Sequence, residues 1–386
     1  MESKWIVAKF GGSSVRDAVA MLRCSQIIEN NPLIKIVVIS ATQNTTNQLE
    51  FVAKAAEKKD QETLDNVTSE IINKHVAIAK ELFTSPQVML ELEEICGELK
   101  ALGKIIFDDG KYSAKTMDEL YSLGERMSSL LVSDLLRLRI PKKKIILLDA
   151  KKIIKTNSDY GKAEPQINLI AEHLAFEFKN SSVEETLFVT QGFIGSDLMG
   201  NTTTLGREGS DYSAALLGEA IDAQLVQIWT DVPGVASSDP RIVKDAKFIK
   251  NLSYDEATAL ATLGAKVLFP TTLLPTKRKN IPVFVGSSLN PHATGTLVTR
   301  EQDAGFSLKG VSQMTTSEGS TLISFVGTHL DQKEGLPTLL QSDLGKESFE
   351  FFDLTSVSVS FKATHVDEKN EALKHAHSVL VKYFLT

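Results

Sequence analysis

The sequence predicts an α/β fold, a mainly parallel sheet sandwiched by helices, with a small α+β domain behind it. Two observations predict the sheet. Short apolar runs at Trp5 to Phe10, Ile34 to Ile39, Ile145 to Leu148, Thr186 to Thr190, Gln224 to Thr230 and Ile281 to Val285 each end in glycine, proline or hydroxyl residues. Between them lie segments with helical spacing, and that alternation is the pattern of parallel strands covered on both faces. A third observation predicts the smaller domain: after Gly295-Thr296-Leu297-Val298 the alternation gives way to short strand patterns and two helical ones.

Along the chain, Trp5 to Phe10 reads as a buried strand that stops at Gly11-Gly12-Ser13-Ser14, and Val15 to Glu29 carries helical spacing. The strand Ile34 to Ile39 ends at Ser40 in a hydroxyl-rich loop, Thr42 to Asn47, with a helical pattern resuming near Gln48. From about 62 to 139 apolar positions recur at three- and four-residue spacing, which reads as a helical insertion with one long helix near Met117 to Leu136. Beyond residue 300, Leu322 to Val326 and Ser356 to Phe361 read as strands, and Gly335 to Leu340 and Glu368 to Tyr383 as helices. The expected domains are therefore 1–300 and 301–386, in a chain of 386 residues that exceeds the length at which one core stops growing.

Composition narrows the function. Hydrophobic residues make up 42% and charged residues 24%, as in ordinary soluble proteins. A net charge of -7 argues against a general nucleic-acid binder, which needs a surplus of Lys and Arg. Cys24 and Cys96 suggest reduced cytoplasmic thiols, and no apolar run approaches a membrane span, so no membrane partner is expected. No protein metal site is read from the spacing of cysteines and histidines.

Ligands in such sheets bind beyond the carboxyl ends of the strands, and the polar residues collect there. Asn201 to Thr204 leads into Gly206-Arg207-Glu208-Gly209-Ser210-Asp211 and then an apolar helix, the make-up of an anion cradle at a helix N-terminus. The same residues also suit an ordinary N-cap by Ser210 or Asp211. Lys9 ends the first strand just before Gly11 and Gly12, where a cation reaches a phosphate, although a solvated turn lysine fits equally. Thr230-Asp231-Val232-Pro233-Gly234 and the excursion to Arg241 suit a nucleotide loop or a proline-shaped Asx turn. Lys266, after Gly264, reads as a second phosphate cation or an exposed lysine. Together Lys9, Lys266 and the glycine turns form the cationic set that phosphoryl transfer needs, with Asp211 holding the lysines in orientation.

Lys9 to Val15, Gly124-Glu125-Arg126-Met127-Ser128, Thr190 to Gly195, Thr204 to Tyr212, Trp229 to Gly234 and Gly264 to Pro270 resemble, in order, the motifs of aspartokinases. Val283 to Ser288 and Gly295 to Val298 resemble particularly the lysine-sensitive bacterial type. The resemblance implies an amino-acid-kinase fold and the phosphorylation of the L-aspartate side-chain carboxylate by ATP, the first step towards lysine, threonine and methionine. It implies Lys9, Asp211 and Lys266 as catalytic residues, and Ser40, Thr46, Glu125, Arg207 and Ser210 as the aspartate site. Gly11, Gly12, Thr230, Asp231, Arg241 and Lys266 would hold ATP, with Mg2+ bound mainly through its phosphates. The implied protein is a cytoplasmic homodimer, paired through an ACT-like domain.

Departures from the pattern stand at Glu208, in place of a glycine and expected to turn outward, at Ala236, at Phe269 and at Asn44. Residues 301–386 leave room for one ACT unit where the lysine-sensitive type has two, so weak or absent feedback by lysine is expected. Two other readings remain open: another amino-acid kinase, which would lack the Gly124 to Ser128 segment, and a catalytically weak amino-acid-binding regulator.

Overall fold

The computed structural model describes residues 5–265, 270–301, 304–364 and 370–384. The described chain forms two compact units, residues 1–232 with 286–292, and residues 233–285 with 293–386.

The first unit runs β1 (Ile6–Phe10), α1 (Ala18–Glu29), β2 (Ile34–Ile39), α2 (Thr45–Glu57), α3 (Gln61–Glu81), α4 (Pro86–Asp109), α5 (Ala114–Arg139), β3 (Lys144–Leu148) and α6 (Ala150–Ile153). It continues with α7 (Ile167–Lys179), β4 (Thr186–Gln191), β5 (Ile194–Ser196), β6 (Thr202–Thr204), α8 (Gly209–Ala220) and β7 (Leu225–Thr230). Its sheet has the order β3-β4-β2-β1-β7, and every pairing in it is parallel. The apolar runs are near-continuous because both faces are covered: every residue of β1, β2 and β4 is buried. Phe10 of β1 lies parallel to the Trp229 ring of β7, centroids 6.3 Å apart.

The expected helical insertion is α3, α4 and α5. The helix expected from Gln48 starts earlier, at Thr45, because Asn44 takes a left-handed conformation at φ 67° and turns the chain into the helix. The short antiparallel hairpin β5–β6 has no counterpart in the sequence reading; at three residues per strand it is too brief to show a period.

The second unit contains β8 (Asn251–Ser253), α9 (Tyr254–Thr262), α10 (Pro270–Lys279), most of β9 (Val283–Ser287) and β10 (Thr296–Thr299). There β10 pairs parallel to β8 and antiparallel to β9. It also holds β11 (Ser307–Thr315), β12 (Thr321–Thr328), α11 (Leu336–Leu344), β13 (Phe349–Leu354), β14 (Ser358–Ala363) and α12 (Glu371–Phe384). Those last four strands form an antiparallel sheet of order β11-β12-β14-β13. Ile323, Phe325, Val359 and Phe361 of its central strands pack with Leu336 and Leu340 of α11 and Leu373, Ala376 and Leu380 of α12 in one core. The sequence reading found β12, β14, α11 and α12; β11 and β13 escaped it, and the outer strand β13 is mostly exposed and reads Phe-Glu-Phe-Phe-Asp-Leu without strict alternation.

Gly124 sets how closely α5 approaches the start of α2. A Cβ there would lie 2.9 Å from the Ala41 Cβ and 3.3 Å from the Thr45 Cγ2. Gly124→Ala gains about 1 kcal/mol of helix propensity but overpacks this contact by about 1–3 kcal/mol, so a net loss is expected in urea unfolding. An unchanged midpoint with an unchanged slope would show that the approach is not tight.

Candidate active site

Three strand ends and two helices of the first unit meet at one cavity of about 470 Å³. Its lining includes Lys9 and Gly12 after β1, Ser40 to Asn44 and Thr46 after β2, and Tyr121 and Glu125 on α5. Phe193, Thr204 and Gly206 to Ser210 complete it at the start of α8. Seven of the residues expected to act therefore lie together: Lys9, Gly12, Ser40, Thr46, Glu125, Arg207 and Ser210.

Lys9 is not a solvated turn residue. It is 7% exposed and ion-paired with Asp211, itself 3% exposed, in the first turn of α8. Because α8 packs on β1, the carboxylate lies against the strand's last lysine. The pair brings a buried positive charge to the cavity wall with its orientation set, which a free lysine would lack.

The helix start is no ordinary side-chain cap. Glu208 holds the N-cap position and neither it nor Ser210 or Asp211 supplies a capping side-chain bond; the Asp211 N–H donates to the Glu208 carbonyl at 3.0 Å instead. Gly209 and Ser210 open on the cavity, so the positive end of α8 faces it. Gly192 lets the turn come this close, since a Cβ there would stand 2.6 Å from the Ser210 Cβ and Oγ. Glu208 is exposed and stands at the cavity's rim, among the residues that line it. It also takes φ 54°, a left-handed conformation that glycine adopts without strain. The protein mass around its carboxyl and the nearby Asp211 push its pKa up, against the pull of Lys9 and Arg207.

Glu125 is 3% exposed, and its Oε2 has no hydrogen-bond partner. Burial pushes its pKa up to about 8, while the Ala41 N–H and the charge of Lys9 pull the other way. An orphaned buried carboxylate oxygen on a cavity wall suits an incoming ammonium group. Acidic and basic groups thus line one cavity: Glu125 and Glu208 with Lys9, Arg207 and the start of α8. Such a site matches a small zwitterion carrying an extra anionic group.

The loops are fixed by residues that the sequence reading did not single out. Ser128 Oγ donates to the Ser40 carbonyl at 2.7 Å, and Thr42 Oγ1 lies 2.6 Å from Thr45 Oγ1 and 3.1 Å from His75 Nε2. Burial holds His75 neutral by lowering its pKa to about 4. Asp118, wholly buried one turn before Tyr121, accepts from the Thr204 hydroxyl at 2.7 Å and from the Thr204 and Gly161 N–H groups at 3.0 and 2.9 Å. The Asp118 and Glu125 spacing of seven along one helix was the available signal.

Among the described residues expected to hold nucleotide, Gly12 lines this cavity. Gly11 donates its N–H to the Trp229 carbonyl at 3.0 Å, which sets the β1 turn beside Thr230 and Asp231 at the end of β7. Ser288 Oγ joins them, donating to the Thr230 carbonyl at 3.0 Å and lying 2.6 Å from Ser14 Oγ. Thr230 and Asp231 do not line the cavity. Arg241 belongs to the second unit, exposed and paired with Asp239 at 2.6 Å. Lys266 and Phe269 lie outside the described residues. Ala236 is buried and bridges to Phe248.

Among the described residues no helix is long and apolar enough to cross a membrane, and no group of three His, Cys, Asp or Glu residues could hold a metal ion.

Comparison with known proteins agrees with this geometry. The amino acid kinase family model matches residues 4–287. The lysine-sensitive aspartokinase 3 of Escherichia coli is 43% identical over 302 residues, 78% of this chain and 65% of that protein, so the chain spans about two thirds of its length. The aspartokinase of Chlamydia trachomatis is 34% identical over 77% of this chain and 65% of its own. The crystal structure of E. coli aspartokinase III in complex with aspartate and ADP superposes with a TM-score of 0.88 at 31% identity, covering 98% of this chain and 100% of that one. The described architecture is accordingly the amino-acid-kinase fold with an antiparallel, ACT-like module. The chain belongs to the amino acid kinase family, and within it to the aspartokinases.

Proposed function

We propose that the chain phosphorylates the side-chain carboxylate of L-aspartate at the expense of ATP, giving 4-phospho-L-aspartate and ADP, as the entry step towards lysine, threonine and methionine. The observation that carries this reading is the charge division of the cavity. The buried, unpartnered Glu125 Oε2 receives the substrate ammonium, while Arg207, Ser210 and the α8 terminus receive its carboxylates. An E. coli relative has been crystallised with aspartate and ADP, which supports the same assignment.

In this reading the aspartate side chain, held by Thr46 and Ser40 at the β2 loop, presents an oxygen towards Lys9. That oxygen attacks the terminal phosphorus of ATP; a new O–P bond forms as the bond to the ADP oxygen breaks. Lys9 balances the charge on the moving phosphoryl group, and Asp211 keeps its ammonium aimed. Gly11, Gly12, Thr230 and Asp231 hold the nucleotide. The tight turn suits a phosphate, since a Cβ at Gly11 would come within 3.3 Å of Lys9 Nζ. Mg2+ bound through ATP oxygens supplies further charge neutralisation. A cytoplasmic homodimer paired through the four-stranded module is part of the proposal, supported by the outer strand β13, whose Phe351 and Phe352 are 44% and 59% exposed.

A coupled assay with L-aspartate, ATP and magnesium should show turnover with aspartate well above that with other amino acids. No turnover, with tight amino-acid binding, would favour the regulator reading instead.

Lys9→Met should lower kcat by about 100- to 1,000-fold by removing transition-state stabilisation. It should also cost about 3–5 kcal/mol of stability, because Asp211 is left as a buried unpaired charge. The double variant Lys9→Met/Asp211→Leu should regain most of that stability in urea unfolding and none of the activity. Recovery of activity would refute the role of Lys9.

Binding an ammonium needs Glu125 ionised. With its pKa raised to about 8, the free site is mostly protonated at lower pH, so the apparent Kd for aspartate should rise towards tenfold per unit as pH falls below about 8. Glu125→Gln should weaken binding and flatten this slope in calorimetric titrations. An unaltered slope in the variant would contradict the assignment.

A further inference from the structure

We infer that Asp118 is a positioning residue that sets the affinity for the acidic amino-acid substrate by welding together the two loops that shape its anion-binding turn. The inference rests on the proposed function for the identity of the substrate, and on geometry for the rest.

Asp118 does not itself line the cavity; its hydrogen-bond partners do. Its Oδ2 accepts the N–H groups of Gly161 and Thr204, and its Oδ1 accepts the Thr204 hydroxyl. Gly161 and Thr204 both line the cavity. Thr204 ends β6, and the Gly206 to Gly209 turn begins two residues later. The two loops also meet directly, where the Ala163 N–H donates to the Thr204 carbonyl at 2.8 Å. Gly206 lies close enough to the Gly161 carbonyl that a Cβ would stand 3.4 Å from it. A single carboxylate therefore fixes the take-off point of the turn that carries Arg207 and Ser210.

The carboxylate is fully buried and faces no cation in these contacts. Burial raises its pKa, and the hydrogen bonds from Thr204 and Gly161 oppose the rise. A charge is costly in such a place, and an apolar residue would pack there without it; what the carboxylate supplies is three fixed acceptor bonds. It stands on α5 seven residues before Glu125, so one rigid helix holds the ammonium-binding carboxylate and the anchor of the carboxylate-binding turn. The distance between the two halves of the substrate site is then set by helix geometry rather than by loop flexibility.

Steady-state kinetics of Asp118→Ala and Asp118→Asn test this. Alanine removes all three bonds; asparagine keeps its Oδ1 for the two N–H groups and can donate Nδ2–H to the Thr204 hydroxyl oxygen. Asp118→Ala should raise KM for aspartate by about 10- to 100-fold with KM for ATP little changed, and Asp118→Asn should restore it to near the wild-type value. Hydrogen exchange of residues 204–210 should quicken in the alanine variant alone. Leu380→Ala, a core truncation on α12 in the four-stranded module, controls for lost stability and should leave KM for aspartate unchanged. An Asp118→Ala enzyme with wild-type KM for aspartate and unaltered exchange overturns the inference and leaves the proposed function standing. The same holds if KM for ATP and for aspartate rise equally in Asp118→Ala and Leu380→Ala, the mark of a merely structural role. A wild-type chain that does not turn over aspartate overturns the functional reading, and with it the substrate named here.

Discussion

Lys9 ends a strand that lies between two parallel neighbours, where backbone and side chains are shut off from water, and a charge can persist there only with a partner. Asp211 is that partner, and it comes from the helix that packs on the same strand. The pairing ties the strand end to the first turn of α8, so the lysine and the helix terminus face the cavity in one fixed relation. Neither positive feature would be aimed without the other. The whole cationic side of the site follows from one buried bond between the two elements.

The opposite side depends on α5. Asp118, Tyr121, Glu125 and Ser128 succeed one another along a face of this helix and meet, in turn, the β6 loop, the Phe193 ring, the cavity and the Ser40 loop. A helix is stiff over this distance, so loops that would otherwise drift are referred to one ruler. Glu125 keeps one carboxylate oxygen without a hydrogen-bond partner, and burial is what raises its pKa.

Much of this was legible in the sequence, for physical reasons. Continuous apolar runs marked the buried strands, and glycines and hydroxyls marked the strand ends where polar ligands collect, so Lys9 and the Gly206 to Asp211 stretch stood out. The partners of the loops did not. Asp118 and His75 act through hydrogen bonds to residues 33 to 86 positions away, and Ser128, though inside the Gly124 to Ser128 motif, bonds the Ser40 carbonyl 88 positions away; such partners do not show in local sequence. The left-handed backbone of Glu208, at φ 54°, is not legible from the residue itself, since glycine is the residue that adopts it without strain. Outer strand β13 was missed because its exposed phenylalanines break the expected alternation.

A crystal structure of the chain with L-aspartate and ADP tests the central claim most directly. Aspartate should sit in the 470 Å³ cavity with its ammonium on Glu125 Oε2, a carboxylate at Ser210 and the α8 terminus, and the side-chain carboxylate towards Lys9, still paired with Asp211. Aspartate seated elsewhere, or in the cavity with its ammonium away from Glu125, would contradict it.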